Sequence, residues 1–510
     1  MPDQDAAQAS VAGSFPRVTL LGGVFDRGDV ATGDAAWLQA LLDTEAGLAR
    51  ALERASLAPS GAGAAVTRAA VAADLSAGEV AEVARASELT GNPVPGLARM
   101  LARRVPGFAA PAVHRGATSQ DIMDTAAMLL ARRAATVIGR DLMVAARAAA
   151  RLAGAHRGTL MIGRTLLQQA VPLTFGVVAA GWLAGLDGAV EGLDAVARTR
   201  LAVQFGGAAG TLASLGEDGP AVVALLAEEL GLAAPPLPWH TERLRVIDVA
   251  VAMARVTAAL GKIARDVTLL AQTEVGEVAE GSDGTGSAVA GPAGAGSAGT
   301  GSAGTGSAVA GPAGPGAGGP RRGGSSAMPN KRNPVASVAI LGCSRQVPGL
   351  LATLVASAEQ EHQRAAGAWH AEWQPFSDTL RLAGSAAAWG ADLLGGLSVD
   401  PARMAANLAA SGGLPLAERV TGLLAGAFGG PAAHDLVAGA AARAAGAGVP
   451  LRDVLAAIPE VEQAHVTASQ VDAALDPAGY LGAADQFIDA ALEAHERLAR
   501  GRDRAENHHG

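Results

Sequence analysis

Along most of this chain, apolar residues recur at helical spacing. Over residues 34–57, Trp37, Leu38, Leu41, Leu42, Leu48, Ala49 and Leu52 fall on one stripe, with Glu45 in its middle. Asp34 stands where a helix N-cap is expected. The same spacing predicts long helices over residues 119–153, 170–200, 219–231, 243–280 and 334–358. Alternating strand patterns are scarce and Ala, Leu and Arg dominate, so the expected class is mainly α. The run at 170–186, AVPLTFGVVAAGWLAGL, carries no charge. It falls short of the ~20 residues of a bilayer span and contains a proline, so it reads as a helix buried in a large bundle. A helix apolar all round wants protein on every side, which points to association of chains.

One segment breaks the pattern. From Gly284 to Pro320 only Gly, Ala, Ser, Thr, Pro and Val occur, and residues 284–294 recur unchanged at 304–314. Such a stretch has too little apolar surface to offset its ordering entropy and reads as a flexible low-complexity insertion over 281–320. Its GxGxxG match at Gly294, Gly296 and Gly299 has no strand before it and no helix after it, and is a chance match.

Composition narrows the function classes. The 510 residues hold 39 basic and 48 acidic side chains, a net charge of −9, which argues against a nucleic-acid partner. A single cysteine, Cys343, excludes an intramolecular disulfide and a cysteine-cluster metal site. The first ten residues, MPDQDAAQAS, have neither a basic nor an apolar signal region, so a cytoplasmic setting is expected and no membrane association. Nearly every basic residue is arginine; the two lysines are Lys262 and Lys331. A lysine kept against that bias suggests a site that needs a compact ammonium.

Four stretches concentrate chemistry. VHRGATSQDIMDT (113–125) sets His114, Thr118 and Ser119 at a turn feeding a helix N-terminus, where hydroxyls and free N–H groups suit a carboxylate or phosphate. GRTLLQ (163–168) offers Arg164, Thr165 and Gln168 ahead of the apolar run. GGSSAMPNKRNP (323–334) is a Gly/Pro-shaped loop with two serines, Lys331 and two of the five asparagines. EHQRAAGAWHAEW (361–373) carries Arg364, two histidines and two tryptophans, but no HExxH spacing, so no metal is expected. His156, Gln204 and His240 are expected to serve the structure.

GSSAMPNKRNP resembles the signature loop of the fumarase/aspartase superfamily, which includes fumarase, argininosuccinate lyase, adenylosuccinate lyase and cycloisomerases. HRGATSQDIMDT and GRTLLQ resemble its other two conserved regions, in the same order, and EHQRAAGAWHAEW and the C-terminal NLAASGG…LDPAGYLGAA resemble its cycloisomerase branch. The resemblance implies three helical domains around a long central bundle. These are an N-terminal domain over 1–113, the bundle over 114–370 with the insertion inside it, and a C-terminal domain over 371–510. It implies a homotetramer whose active sites draw on three subunits, a small tricarboxylate substrate, and no cofactor or metal. By motif match, Ser325 and Lys331 are the catalytic groups. Asn333, His114, Thr118, Ser119, Arg164, Thr165, Gln168 and Arg364 bind substrate. Serine is a weak acid or base, so its oxyanion needs nearby positive charge and loop N–H donors.

One departure is informative. Members that eliminate amines or water usually carry histidine after the Arg-Thr pair, to protonate the leaving group. Here that residue is Leu166. A carboxylate leaves without such an acid, because its conjugate acid has a pKa of about 4. Leu166 therefore favours a cycloisomerase over an adenylosuccinate lyase-like enzyme. An intact Ser325, Lys331 and Asn333 disfavours a non-catalytic scaffold.

Overall fold

The computed structural model describes residues 22–281, 323–324, 328 and 331–509. Ser325, Ser326, Asn330 and nearly all of the low-complexity segment lie outside the described residues. The chain opens with α1 (Asp34–Arg54), α2 (Ala62–Ala69), α3 (Ala77–Thr90) and α4 (Val94–Arg104). Gly33, not Asp34, is the N-cap of α1; Asp34 is the first helical residue, where its charge complements the positive helix end.

The centre is a bundle of long helices. α5 (Ser119–Ala155) is followed by an antiparallel hairpin, β1 (Leu160–Thr165) and β2 (Gln168–Thr174), then by α6 (Phe175–Thr199) and α7 (Gly219–Leu230). α8 (Leu244–Leu270) leads to β3 (Val278–Ala279), then come α9 (Val335–Ala356), α10 (Ala368–Gly395) and β4 (Ser398–Val399), which pairs with β3. α5, α6, α8, α9 and α10 share one core that also takes in α1.

One expectation is corrected here. The helix expected from residue 170 begins at Phe175, because 168–174 is a strand and Thr174 caps α6 through the N–H of Val177. Within the single chain the apolar run is covered on one side only. Gly181, Ala184 and Gly185 form an exposed strip along α6. Among the described residues, the helix long and apolar enough to cross a bilayer is α9, and it packs along α8 and α10.

The C-terminal helices are α11 (Pro401–Ala409), α12 (Ala417–Phe428), α13 (Gly430–Ala447), α14 (Leu451–Ala456), α15 (Pro459–Gln463) and α16 (Ala468–Ala474). Val420, Leu424, Val437, Leu451 and Leu455 make a separate small core there. The boundary expected after residue 370 falls inside α10, a member of the central bundle. The last helix, α17 (Ala484–His509), returns to α6, where His495 Nδ1 lies 2.9 Å from buried Asp187 and Arg502 pairs with Asp194.

Helix direction fixes where the loops go. Arg243, just before α8, and Trp369, near the start of α10, both bond Asp124 in the second turn of α5. The starts of α5, α8 and α10 therefore share one end of the bundle. The C-terminus of α5, the hairpin, the end of α8 and the start of α9 lie at the other.

Candidate active site

At the first end, the polar groups are organised by Asp121, which is fully buried in the first turn of α5. Its Oδ2 accepts from the N–H groups of Thr118 and Gly207, both at 2.9 Å. Its Oδ1 accepts from the N–H of Gly206 at 2.9 Å and faces His240 Nε2 at 2.6 Å. The 204–210 segment is thereby clamped over the start of α5. Gly207 is required by this approach: φ is +66° and a Cβ would sit 3.0 Å from the carbonyl oxygen of Gly116. Arg364 donates to the carbonyl of Gly207, which brings the 361–373 loop to the same place. Burial holds the Arg364 guanidinium below its ordinary value, partly offset by the charges of Asp121 and Asp124. His114, Thr118, Ser119 and Arg364 are thus gathered at this end, all half-buried.

Beneath them Arg243 is almost wholly buried between two carboxylates. It bonds Asp124 at 2.7 and 3.0 Å and Glu372 at 2.6 to 3.1 Å. Burial opposes its charge, but the two carboxylates outweigh that and raise its pKa. Gln360 in turn donates to Glu372 at 2.8 Å, tying the loop that carries Arg364 to this buried network.

At the opposite end stand Arg164, Thr165 and Gln168, on the β1–β2 hairpin. Thr165 and Gln168 pair across a two-residue turn made of Leu166 and Leu167, both in the left-handed region at φ 51° and 64°. The tip is bare to solvent, with Leu166 96% and Leu167 74% exposed. Arg164 forms a two-pronged pair with Glu277, at 2.7 and 2.8 Å, and Glu277 also accepts from Asn407. Three residues on, Glu280 accepts from the N–H groups of Ala336 and Ser337 and from the Ser337 hydroxyl, capping the start of α9. Just before that start lie Lys331, exposed, and half-buried Asn333, whose N–H donates to the carbonyl of Gly323.

The two clusters are far apart within one chain. α5 separates the hairpin from Thr118 by 37 residues, about 55 Å of helix. Seven described non-glycine residues have left-handed backbone, and five of them, His114, Leu166, Leu167, Leu212 and His362, lie on these loops. Strain of this kind collects where function over-determines the backbone.

Set beside known proteins, residues 33–288 match the lyase family and residues 413–491 match the adenylosuccinate lyase C-terminus. A 3-carboxy-cis,cis-muconate cycloisomerase of Bradyrhizobium diazoefficiens is 41% identical over 91% of this chain and 95% of its own. The chain belongs to the lyase family of the fumarase/aspartase superfamily. Another relative, a nitrosuccinate lyase of Streptomyces davaonensis, is 43% identical over 94% of each chain. The crystal structure of a 3-carboxy-cis,cis-muconate lactonizing enzyme from Pseudomonas putida overlays with a TM-score of 0.78 at 37% identity, covering 92% of this chain and 96% of that one. The mainly α, long-bundle architecture is that of these lyases.

Sequence reasoning overlooked the parts of this lyase site that hold others in place. Glu45, Gly206, Gly207 and Glu277 stand outside the four motifs, and Asp121 stands in one without an assigned role. Glu45 did leave a signal, as a charge inside an apolar stripe. The Gly206–Gly207 doublet, after an apolar pair at Val203 and Phe205, was another.

Proposed function

We propose that this enzyme is a 3-carboxy-cis,cis-muconate cycloisomerase, closing that tricarboxylate diene to 4-carboxymuconolactone in protocatechuate degradation. It is a soluble enzyme of the cytoplasm. The observation that carries the reading is the 41% identity over 91% of this chain to a 3-carboxy-cis,cis-muconate cycloisomerase, and Leu166 at the hairpin tip disfavours amine elimination. In the forward reaction one substrate carboxylate adds to the conjugated double bond. The electron pair moves onto a neighbouring carboxylate, giving an enolate-like dianion, and a proton is then delivered to the carbon beside it. Lys331 and Asn333 hold the oxygens of that dianion, where preorganised donors matter most. Ser325 supplies the proton to carbon and is reprotonated from solvent. His114, Thr118, Ser119 and Arg364 receive the remaining carboxylates. Thr165 and Gln168 flank the hairpin tip and complete the substrate contacts, with Arg164 fixing the hairpin through Glu277.

These groups meet only if another copy of the chain brings its hairpin and Lys331 loop to the His114 end. A homotetramer with sites shared among three subunits meets that requirement. The exposed small-residue strip of α6 suits close helix contact between copies.

A second reading follows from the 43% identity to the nitrosuccinate lyase. Expelling nitrite from a nitrosuccinate also needs no leaving-group acid, because nitrite, like a carboxylate, is a weak base. Leu166 therefore separates both readings from amine elimination but not from each other. Ultraviolet absorbance decides between them. Loss of the diene band of 3-carboxy-cis,cis-muconate, abolished by Ser325→Ala, is the expected result. Release of nitrite from nitrosuccinate, with the muconate band unchanged, would replace the first reading with the second.

A further inference from the structure

Glu45 has no place in the mechanism above, yet it is fully buried on the core face of α1. Both of its oxygens go to a single residue. Oε2 accepts the backbone N–H of His114 at 2.9 Å, and Oε1 lies 2.7 Å from His114 Nδ1. A buried carboxylate needs partners of this kind to be tolerated at all. The first bond pins the left-handed backbone of His114, at φ 59°, a conformation few non-glycine residues adopt unaided. The second fixes the tautomer: Nδ1 carries a proton and donates it to Glu45. Nε2 is then the ring nitrogen left for a ligand, and it has no protein partner among the described residues. The ring is 24% exposed, four residues before Thr118.

We propose that Glu45 is a positioning residue for the site: it holds His114 as an imidazolium whose Nε2–H receives a substrate carboxylate. A cation is wanted there because the proposed substrate carries three negative charges, one more than Arg364 and another copy's Lys331 can answer. The charged groups acting on the ring are Glu45 from α1 and Asp121 from α5; the neighbouring Arg115 turns its guanidinium to the carbonyl of Leu57. Burial pushes the His114 pKa down, but the bond and charge of Glu45, joined by the charge of Asp121, more than compensate, and the pKa is raised. The sign follows. Substrate binding is supported at low pH and is lost as pH climbs through the raised pKa. Replacing Glu45 by glutamine keeps an acceptor for the backbone N–H but removes the charge, so the loss moves to lower pH.

The inference rests on the proposed function only for how the proton is used. Histidine C2 hydrogen–deuterium exchange, read by mass spectrometry on the intact oligomer, gives the titration midpoint of His114 without any turnover. The expected result is a wild-type midpoint above the ordinary value of about 6.5 and a lower one in Glu45→Gln. The alkaline fall of kcat/KM on 3-carboxy-cis,cis-muconate moves with it, and kcat/KM at pH 8 drops about tenfold to a hundredfold, as removal of a charged hydrogen-bond partner does. Equal midpoints in the two proteins, or a moved midpoint with an unmoved profile, would overturn the proposal. If Glu45→Gln does not fold, a wild-type midpoint at or below about 6.5 overturns it equally. Absence of turnover by the wild type would count against the substrate, while the exchange midpoint still decides the Glu45–His114 pair.

Discussion

Arg243 is the residue on which the His114 end of the bundle depends. It neutralises Asp124 and Glu372 in a place nearly closed to water, and burial already pushes Glu372 above the ordinary carboxyl range. Removing one member of such a network leaves the others charged and unpaired. Arg243→Met should therefore destabilise the fold by about 3–5 kcal/mol, read as a lowered urea midpoint. A loss under 1 kcal/mol would mean water reaches the pair and screens it. Glu45 makes the same point about what a sequence discloses. Its spacing placed it on the buried stripe of α1, and a charge there has to be answered by something. What answers it, His114, is 69 residues away, and no local pattern names it. Asp121 was visible only as part of a polar motif. Its four donors come from three separate segments, which only the folded chain juxtaposes.

At the level of elements, apolar period located α1, α5, α6, α7, α8 and α9 to within a few residues, save the late start of α6 and the early end of α8 at Leu270. The β1–β2 hairpin escaped because two-residue turns of this kind are signalled by Asn-Gly or Asp-Gly, and here the turn is Leu-Leu. A sequence that sets leucines where glycine would be at ease has traded local comfort for an apolar tip. Next to it, Glu277 and Glu280 fasten two functional loops to one short segment, the first gripping Arg164 and the second capping α9. Glu280→Ala removes three bonds to the start of α9 and frees the C-terminal base of the loop that carries Lys331 and Asn333. The expected cost is about 1–3 kcal/mol in stability. We expect kcat to fall more than KM rises, since the proposed roles of Ser325 and its neighbours lie in the transition state. Steady-state kinetics beside thermal melting would separate the two; a change in melting alone would confine Glu280 to the fold.

On the scale of the whole molecule, the spacing of the two clusters is the fact that most constrains mechanism. A helix of 37 residues cannot bend its ends together, so His114 and the hairpin of one chain never meet over one substrate. In the proposed site, shared among three subunits, each chain gives its Lys331 loop to one site and its His114 cluster to another. This arrangement has a signature that no single-chain site can imitate. His114→Gln and Lys331→Met should each be nearly inactive as pure proteins. Mixed, denatured together and refolded, they form hybrids in which some sites take the intact half from each partner. For random assembly of equal amounts, about a quarter of such sites are intact, so about a quarter of wild-type turnover should return. A site built within one chain would carry one lesion or the other in every copy, and mixing would restore nothing. The size of the recovery thus reports which residues share a chain at the site, a quantity the arrangement of α5 fixes before any substrate is named.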